Sequence, residues 1–345
     1  MSNFSTYQLA DGGLYIGELN DKGLPHSSQA TCTWSNGTSY RGSWINGTMC
    51  GVGTMYENGA IKFRGYWWKG ELIHVFGTEE LPKPNIKLPK NKNKIAALLI
   101  GNNYAGTSSE LPKCTADVDA IGHRLVNIGV DVTLLKNADR ERICQAIEEI
   151  CSKDAEYDNV LFYFSGHGKT NYYQFKYQQD DGSIKEEVLG PFHLWIGNDH
   201  SPVLQELDIL CNVKDKRYKN VIIISDACQT TSVYDFADLS DDTKEMVYYT
   251  HACQNNWQHR NLLTANATLA GRYATGWSNE ECGLYALGLI QYLEQKNLPI
   301  IKMLDQVSEF VVAYSKREKG EILQQPNVSY TQFDIDFCLY NPEEE

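Results

Sequence analysis

Two short segments of the chain place a thiol and an imidazole in matching local settings. Tyr163-Phe164-Ser165-Gly166-His167-Gly168 is followed, 61 residues on, by Ile224-Ser225-Asp226-Ala227-Cys228-Gln229. Each segment closes an apolar run of β type, so His167 and Cys228 each stand just beyond a strand. Strand ends are where an open α/β sheet presents its chemistry, because side chains there project into the crevice beyond the carboxyl ends. A cysteine thiolate is a strong nucleophile, and an imidazole within reach can take its proton and return it to a leaving group. Taken singly, a cysteine is usually a small buried hydrophobe and a histidine a structural residue. Two reactive types on two strand tips, both flanked by small residues, point instead to a nucleophilic pair.

The elements that must position this pair are legible as an alternation. Ile95 to Ile100 is a continuous apolar run of buried parallel-strand type, followed by the loop Gly101-Asn102-Asn103-Tyr104 and an amphipathic stretch from Ala116 to Ile128. Val130 to Leu135 reads as the next strand, Asp139 to Cys151 as a helix opened by an acidic cap, and Val160 to Phe164 and Val221 to Ile224 as further strands. Leu284 to Leu293 and Ile300 to Tyr314 read as later helices. Strands alternating with helices predict an α/β domain with a mostly parallel sheet flanked by helices.

The first 77 residues differ from this, being rich in Gly, Trp, Tyr and Asn-Gly turns. Tyr15-Ile16-Gly17-Glu18-Leu19, Tyr40-Arg41-Gly42-Ser43-Trp44 and Phe63-Arg64-Gly65-Tyr66-Trp67 recur at offsets of 25 and 23 residues. Asn46-Gly47 and Asn58-Gly59 suit two-residue hairpin turns, so each unit reads as a β-hairpin with aromatics in a shared core. Over residues 13–77 the pattern resembles the MORN repeat, which implies an interaction, assembly or sensing module. Residues 78–94 carry three prolines and a Lys/Asn run, the composition of a linker. The expected organisation is therefore 1–77 hairpin repeats, 78–94 linker and 95–345 catalytic domain.

Composition narrows the class. A formal net charge of -13 over 345 residues argues against nucleic acid or an anionic membrane as partner, since both recruit basic patches, and suits cationic ligands instead. No apolar run approaches the roughly 18 residues of a bilayer span, and the N-terminus lacks a signal pattern, so a soluble, cytoplasmic protein is expected. The ten cysteines show no CxxC pair or zinc-type spacing and read as reduced thiols.

The motifs together resemble the caspase, metacaspase and paracaspase superfamily of cysteine peptidases. Ser165-Gly166-His167-Gly168 matches its histidine motif, and Asp226-Ala227-Cys228 its cysteine motif in the metacaspase manner. Leu111-Pro112-Lys113-Cys114-Thr115-Ala116-Asp117 matches the segment after the first strand. The resemblance implies a Cys228/His167 dyad, an oxyanion hole from the N–H groups of Gly168 and Cys228, and protein or peptide substrates. It also implies a specificity (S1) pocket for Arg or Lys, with Asp117 and Asp226 meeting the cation and Cys114 and Ser165 on the walls. Asp226 capping a turn and Asp117 as a helix N-terminal acid are the plainer readings of the same residues. No third member of a triad is evident.

Regulation is suggested at two places. Lys244 is the one Lys or Arg between Cys228 and Arg260, in the polar stretch Leu239 to Met246, and is the natural self-cleavage site if that loop is processed. Asp180-Asp181-Gly182-Ser183-Ile184-Lys185-Glu186-Glu187 resembles the acidic segment by which many metacaspases bind activating Ca²⁺. Against that stand Lys185 among the acids and a spacing that is not an EF-hand; the chemistry itself requires no cofactor. Thr230 and Thr231 depart from the small residues that often follow the nucleophile, leaving the local turn open. Gly271-Arg272-Tyr273-Ala274 and Gly283-Leu284-Tyr285-Ala286 resemble later family segments. His123, His193, His200, His251 and His259 carry no motif context. The reading is an intracellular cysteine endopeptidase with a role in signalling, defence or cell death. Its rivals are a caspase-like scaffold without turnover, and a latent protease gated by a ligand at its N-terminal module.

Overall fold

The computed structural model of the chain describes residues 5–68, 70–75, 91–179, 182–213, 215–257, 261–269, 271–272, 274 and 282–342. The chain divides into two units, Met1–Lys87 and Leu88–Glu345.

In the first unit seven strands follow one another in one antiparallel sheet: β1 (Ser5–Gln8), β2 (Leu14–Gly17), β3 (Ser27–Thr33), β4 (Thr38–Ile45), β5 (Thr48–Glu57), β6 (Ala60–Trp68) and β7 (Glu71–Val75). The two Asn-Gly pairs make the turns that their residue types predict. Asn46 and Gly47 have φ of 50° and 90°, Asn58 and Gly59 of 52° and 82°, the doubly positive pattern of tight hairpins. The repeat period reappears as an aromatic stack: Tyr15 meets Trp44 edge-on at 5.1 Å, Trp44 meets Tyr40 at 5.8 Å and Tyr40 meets Trp67 at 5.2 Å. Equivalent positions of successive repeats thus supply one core, as expected, and the hairpins are links of a continuous sheet.

The second unit is built on a six-stranded sheet. Its strands are β8 (Ile95–Gly101), β9 (Asp131–Lys136), β10 (Asn159–Gly166), β14 (Asn220–Ala227), β16 (Leu262–Asn266) and β17 (Asn327–Thr331), in the order β17-β16-β14-β10-β8-β9. All neighbours are parallel except β17, which runs antiparallel to β16 at one edge. β8 and β10 are buried along their whole length, which explains their unbroken apolar runs. Helix α1 (Cys114–Asn127) packs on β8 and β9, and α2 (Arg140–Cys151) enters a core with Leu98, Phe162 and Ile223. Asp139 caps α2 as its residue type predicts, accepting the Arg142 N–H at 2.8 Å. α5 (Leu284–Tyr292) packs on α1, and α6 (Ile300–Lys319) on α5.

Sequence reasoning left much of the rest unassigned. A second sheet of order β13-β12-β11-β15 is formed by β11 (Gly168–Gln178), β12 (Ile184–Ile196), β13 (Pro202–Leu204) and β15 (Thr230–Asp235). Its strands carry charged and polar residues on an exposed face, so no apolar run marks them. A π-helical turn, Gln205–Leu210, leads into the short α3 (Cys211–Val213).

One expectation is corrected. Most of the polar segment around Lys244, read as a loop, is the beginning of helix α4 (Asp241–Trp257). Asp241 and Asp242 in its first turn favour the helix N-terminus electrostatically, and Ser240 Oγ accepts the Thr243 N–H at 3.3 Å; a polar helix start has the composition of a loop. Residues 76–90, and with them most of the expected linker (78–94), lie outside the described residues. Asn91 and Asn93 are bound into the second unit, their side-chain amides donating to Leu339 and Cys338 carbonyls at 2.7 and 2.6 Å.

Candidate active site

Strand pairing decides where the two reactive residues stand. β10 and β14 are adjacent and parallel, with Ser165 opposite Asp226 and Gly166 opposite Ala227. His167 and Cys228 are the next residue on each strand, so both leave the sheet side by side at its carboxyl edge. Segments 61 residues apart in sequence become neighbours because one crossover returns the chain to the adjacent parallel position.

The imidazole is oriented by a backbone carbonyl. His167 Nε2 lies 2.6 Å from the Ser109 oxygen. A carbonyl can only accept, so Nε2 carries the hydrogen and Nδ1 keeps the lone pair that can receive a proton. This orienting partner is the third element absent from the sequence reading; a backbone carbonyl leaves no residue-type signal. The Cys228 thiol donates to the Ala274 carbonyl at 3.8 Å. Burial, with a contribution from the Asp226 charge, lifts this thiol above the ordinary cysteine range. Each member of the pair is thus engaged by a carbonyl.

Around the pair the backbone is tightly set. A Cβ on Gly168 would stand 2.7 Å from both the Ala227 Cβ and the Cys228 carbonyl oxygen, so only glycine fits. Gln229 is buried behind the nucleophile, accepting from Thr170 Oγ1 at 2.7 Å and donating to Asn266 Oδ1 at 3.3 Å. Its backbone N–H and C=O are taken by Arg272 and Gly271 at 2.9 and 2.6 Å. Thr230 and Thr231 then enter β15, opposite Lys169 and Thr170. The chain after the nucleophile continues as a strand, where β-branched threonines belong, which answers the question their identity raised.

The four residues expected to form the specificity pocket converge. Asp117, buried in the first turn of α1, accepts Ser165 Oγ on Oδ2 at 2.7 Å and the Gly283 N–H on Oδ1 at 2.7 Å. Asp226 Oδ2 accepts the Tyr163 hydroxyl at 3.2 Å, and the Ala286 backbone also hydrogen-bonds this carboxylate. Burial raises the Asp117 carboxyl to about 6, and burial plus the Asp117 charge holds Asp226 well above the carboxylate range. Asp226 is half-buried. Cys114 is buried beside them, its thiol pushed up by burial and by Asp117. Sequence reasoning missed Gly283: a Cβ there would stand 3.3 Å from Asp117 Oδ2 and 3.7 Å from Asp226 Oδ2.

Other expected residues lie elsewhere. Lys244 sits in α4, 3.7 Å from Asp241. Asp180 and Asp181 of the acidic run lie outside the described residues, as do Tyr273 and His259. Glu186 and Glu187 are on β12, paired with Lys176 and Lys185 at 2.8 Å each. Among the described residues no group of three or more His, Cys, Asp or Glu gathers as for a metal. His200, which carries no motif, stacks on Tyr104 beside the site.

The family model of the caspase domain matches residues 94–337, the greater part of the chain. The chain belongs to the caspase-domain family. Among curated relatives, this caspase-domain protein is 23% identical over 170 residues to metacaspase-8 of Arabidopsis thaliana, covering 45% of this chain and 40% of that protein. It is 30% identical over 163 residues to metacaspase-7 of the same plant, covering 44% of this chain and 37% of the relative. The matched region is thus less than half of the length of either relative. Among solved structures, caspase-1 from Spodoptera frugiperda superimposes with a TM-score of 0.50 at 16% identity, covering 76% of this chain and 98% of that one. The caspase-like α/β fold expected from the motifs is the fold of the second unit, and cysteine peptidases are its kin. No helix is long and apolar enough among the described residues to cross a membrane.

Proposed function

We propose that the chain is a cysteine endopeptidase that cleaves after Arg or Lys with Cys228 as nucleophile and His167 as base and acid. The observation that carries this reading is the cradle formed by Asp117, in the first turn of α1, and Asp226, on β14 two residues before Cys228. An Arg or Lys side chain entering beside Gly283 meets two carboxylates already fixed by Ser165, Tyr163 and two backbone contacts of α5. The Cys228 thiol gives its proton to His167 Nδ1 as sulfur bonds to the scissile carbonyl carbon. The N–H groups of Gly168 and Cys228 hold the resulting oxyanion. The tetrahedral centre then expels the amine, which takes the proton from the imidazolium, and water releases the acyl group by the same steps in reverse.

The engagement of the thiol by Ala274 favours a second reading of the resting form as latent. In that reading the N-terminal MORN-like unit receives the signal, in the cytoplasm, for a signalling, defence or death response. A cut after Lys244 belongs to the same proposal and requires the first turn of α4 to unwind, since a protease takes its substrate extended. A fluorogenic panel with Arg, Lys, Asp and Leu before the scissile bond tests the function, using wild type and Cys228→Ala with and without Ca²⁺. Turnover confined to Arg and Lys and lost in the variant is expected. Turnover that survives in Cys228→Ala, or that prefers Asp or Leu, overturns it.

A further inference from the structure

Tyr104 is an ordinary loop residue by sequence, yet it is fully buried against the candidate base. Its ring centroid lies 4.5 Å from that of His167. Its hydroxyl donates to the Ile196 carbonyl at 2.6 Å and accepts the His167 backbone N–H at 3.0 Å. Its own N–H donates to Asn198 Oδ1 at 3.1 Å. Its carbonyl accepts Thr107 Oγ1 at 2.7 Å, and Thr107 Oγ1 in turn accepts the Ser109 N–H at 3.2 Å. Ser109 is the residue whose carbonyl receives the imidazole hydrogen.

These bonds close a circuit. It runs from the Tyr104 hydroxyl to the His167 backbone, through the imidazole to Ser109, and by Thr107 back to the Tyr104 carbonyl. The backbone of Tyr104 is held at φ 53°, a left-handed conformation that a bulky aromatic residue adopts only where its surroundings impose it. Conformations of this kind gather where geometry serves chemistry. The ring face, the main chain and the acceptor of His167 are thus all tied to one residue.

We propose that Tyr104 is the positioning residue of His167, acting on the backbone through its hydroxyl and on the Nε2–H tautomer through Thr107 and Ser109. The inference rests on the reading of His167 as the catalytic base. Tyr104→Phe removes the hydroxyl and keeps the ring; Thr107→Val, at an exposed position, opens the circuit on the loop side and leaves the Tyr104 ring and hydroxyl in place.

The test combines kcat and KM on an Arg peptide, thermal melting, and ¹⁵N NMR of the His167 ring, for wild type, both variants and His167→Ala. Expected are a tenfold or greater fall in kcat for Tyr104→Phe and a severalfold fall for Thr107→Val, with KM within twofold. The Nδ1–H tautomer should appear in both variants and be absent from the wild type. Wild-type kcat and an unmixed Nε2–H tautomer in both variants overturn the proposal, as does a loss of kcat that tracks melting alone. If Tyr104→Phe does not fold, Thr107→Val decides, and if the wild type is latent, the tautomer spectrum decides. Turnover that persists in His167→Ala sinks the catalytic reading itself, which is a different failure.

Discussion

Asp117 Oδ1 accepts the backbone N–H of Gly283 at 2.7 Å, across 166 residues of sequence. Gly283 is the N-cap of α5 and has no side chain with which to cap it. The carboxylate therefore caps α5 from another helix while lying in the first turn of its own, so two helix N-termini face one buried acid. This makes the plainer sequence reading of Asp117, a helix N-terminal acid, and the pocket reading compatible: the capping bonds are what hold the acid in place. Its folding cost follows from its burial.

Asp117→Asn should separate stability from specificity. The folded pKa of about 6 lies above the roughly 3.9 of an unfolded aspartate. The protonated form is therefore favoured by folding, and that stability is complete below about pH 4 and lost as pH rises through about 6. Asparagine keeps the acceptor for Gly283 and stays neutral. At pH 8 its Tm should rise by on the order of 2–4 °C for each kcal/mol recovered, with no gain at pH 4, in calorimetry at the two pH values. Discrimination for Arg over Leu before the scissile bond should fall at least tenfold in the same variant.

Binding of a basic side chain should itself depend on pH. A cation is attracted by the ionised Asp117, and a proton competes for the same carboxylate. KM for an Arg peptide should climb as pH falls below about 6, approaching tenfold per pH unit for one displaced proton. An uncharged peptide of equal length should show no such limb, which isolates the pocket from titration of the catalytic pair.

Gly283→Ala tests the opening between the carboxylates. The backbone, at φ -63°, accepts alanine without strain. The added methyl lies 3.3 Å from Asp117 Oδ2 and fills space on the side shared with Asp226. Steady-state kinetics should show kcat/KM for Arg and Lys peptides reduced about tenfold, a loss of about 1.4 kcal/mol, chiefly through KM. Tm should change little.

Gly168→Ala should be more severe. Its methyl would stand 2.7 Å from the Cys228 carbonyl oxygen and from Ala227, both fixed by the sheet. Overpacking of this kind costs roughly 1–3 kcal/mol, and the strand tips would separate. Denaturant unfolding should show that loss, with turnover reduced beyond what the unfolded fraction explains.

How much was legible depended on the kind of contact. Residue types at strand tips exposed His167 and Cys228, because unbroken apolar runs mark buried parallel strands and small residues mark their ends, while Asp117 and Asp226 were reached only through the family resemblance of their segments. The hairpin turns were legible because Asn-Gly is among the few pairs that tolerate two positive φ angles. Ser109, Tyr104 and Gly283 were not. Ser109 acts through a carbonyl that every residue possesses, Tyr104 through a backbone conformation its type disfavours, and Gly283 through a side chain it lacks. The second sheet and α4 stayed hidden because exposed polar elements carry little hydrophobic periodicity.

By itself the sequence determined the family to which the chain belongs and the alternation of strands and helices that carries its motifs, since both are written in local residue types and periods. Only the tertiary structure decided that β10 and β14 are neighbours, that a carbonyl 58 residues from His167 meets its ring, and that Ser165 and Gly283 hold Asp117 in place. Those outcomes depend on register and crossover, through which distant segments exclude water together, and no local pattern encodes them.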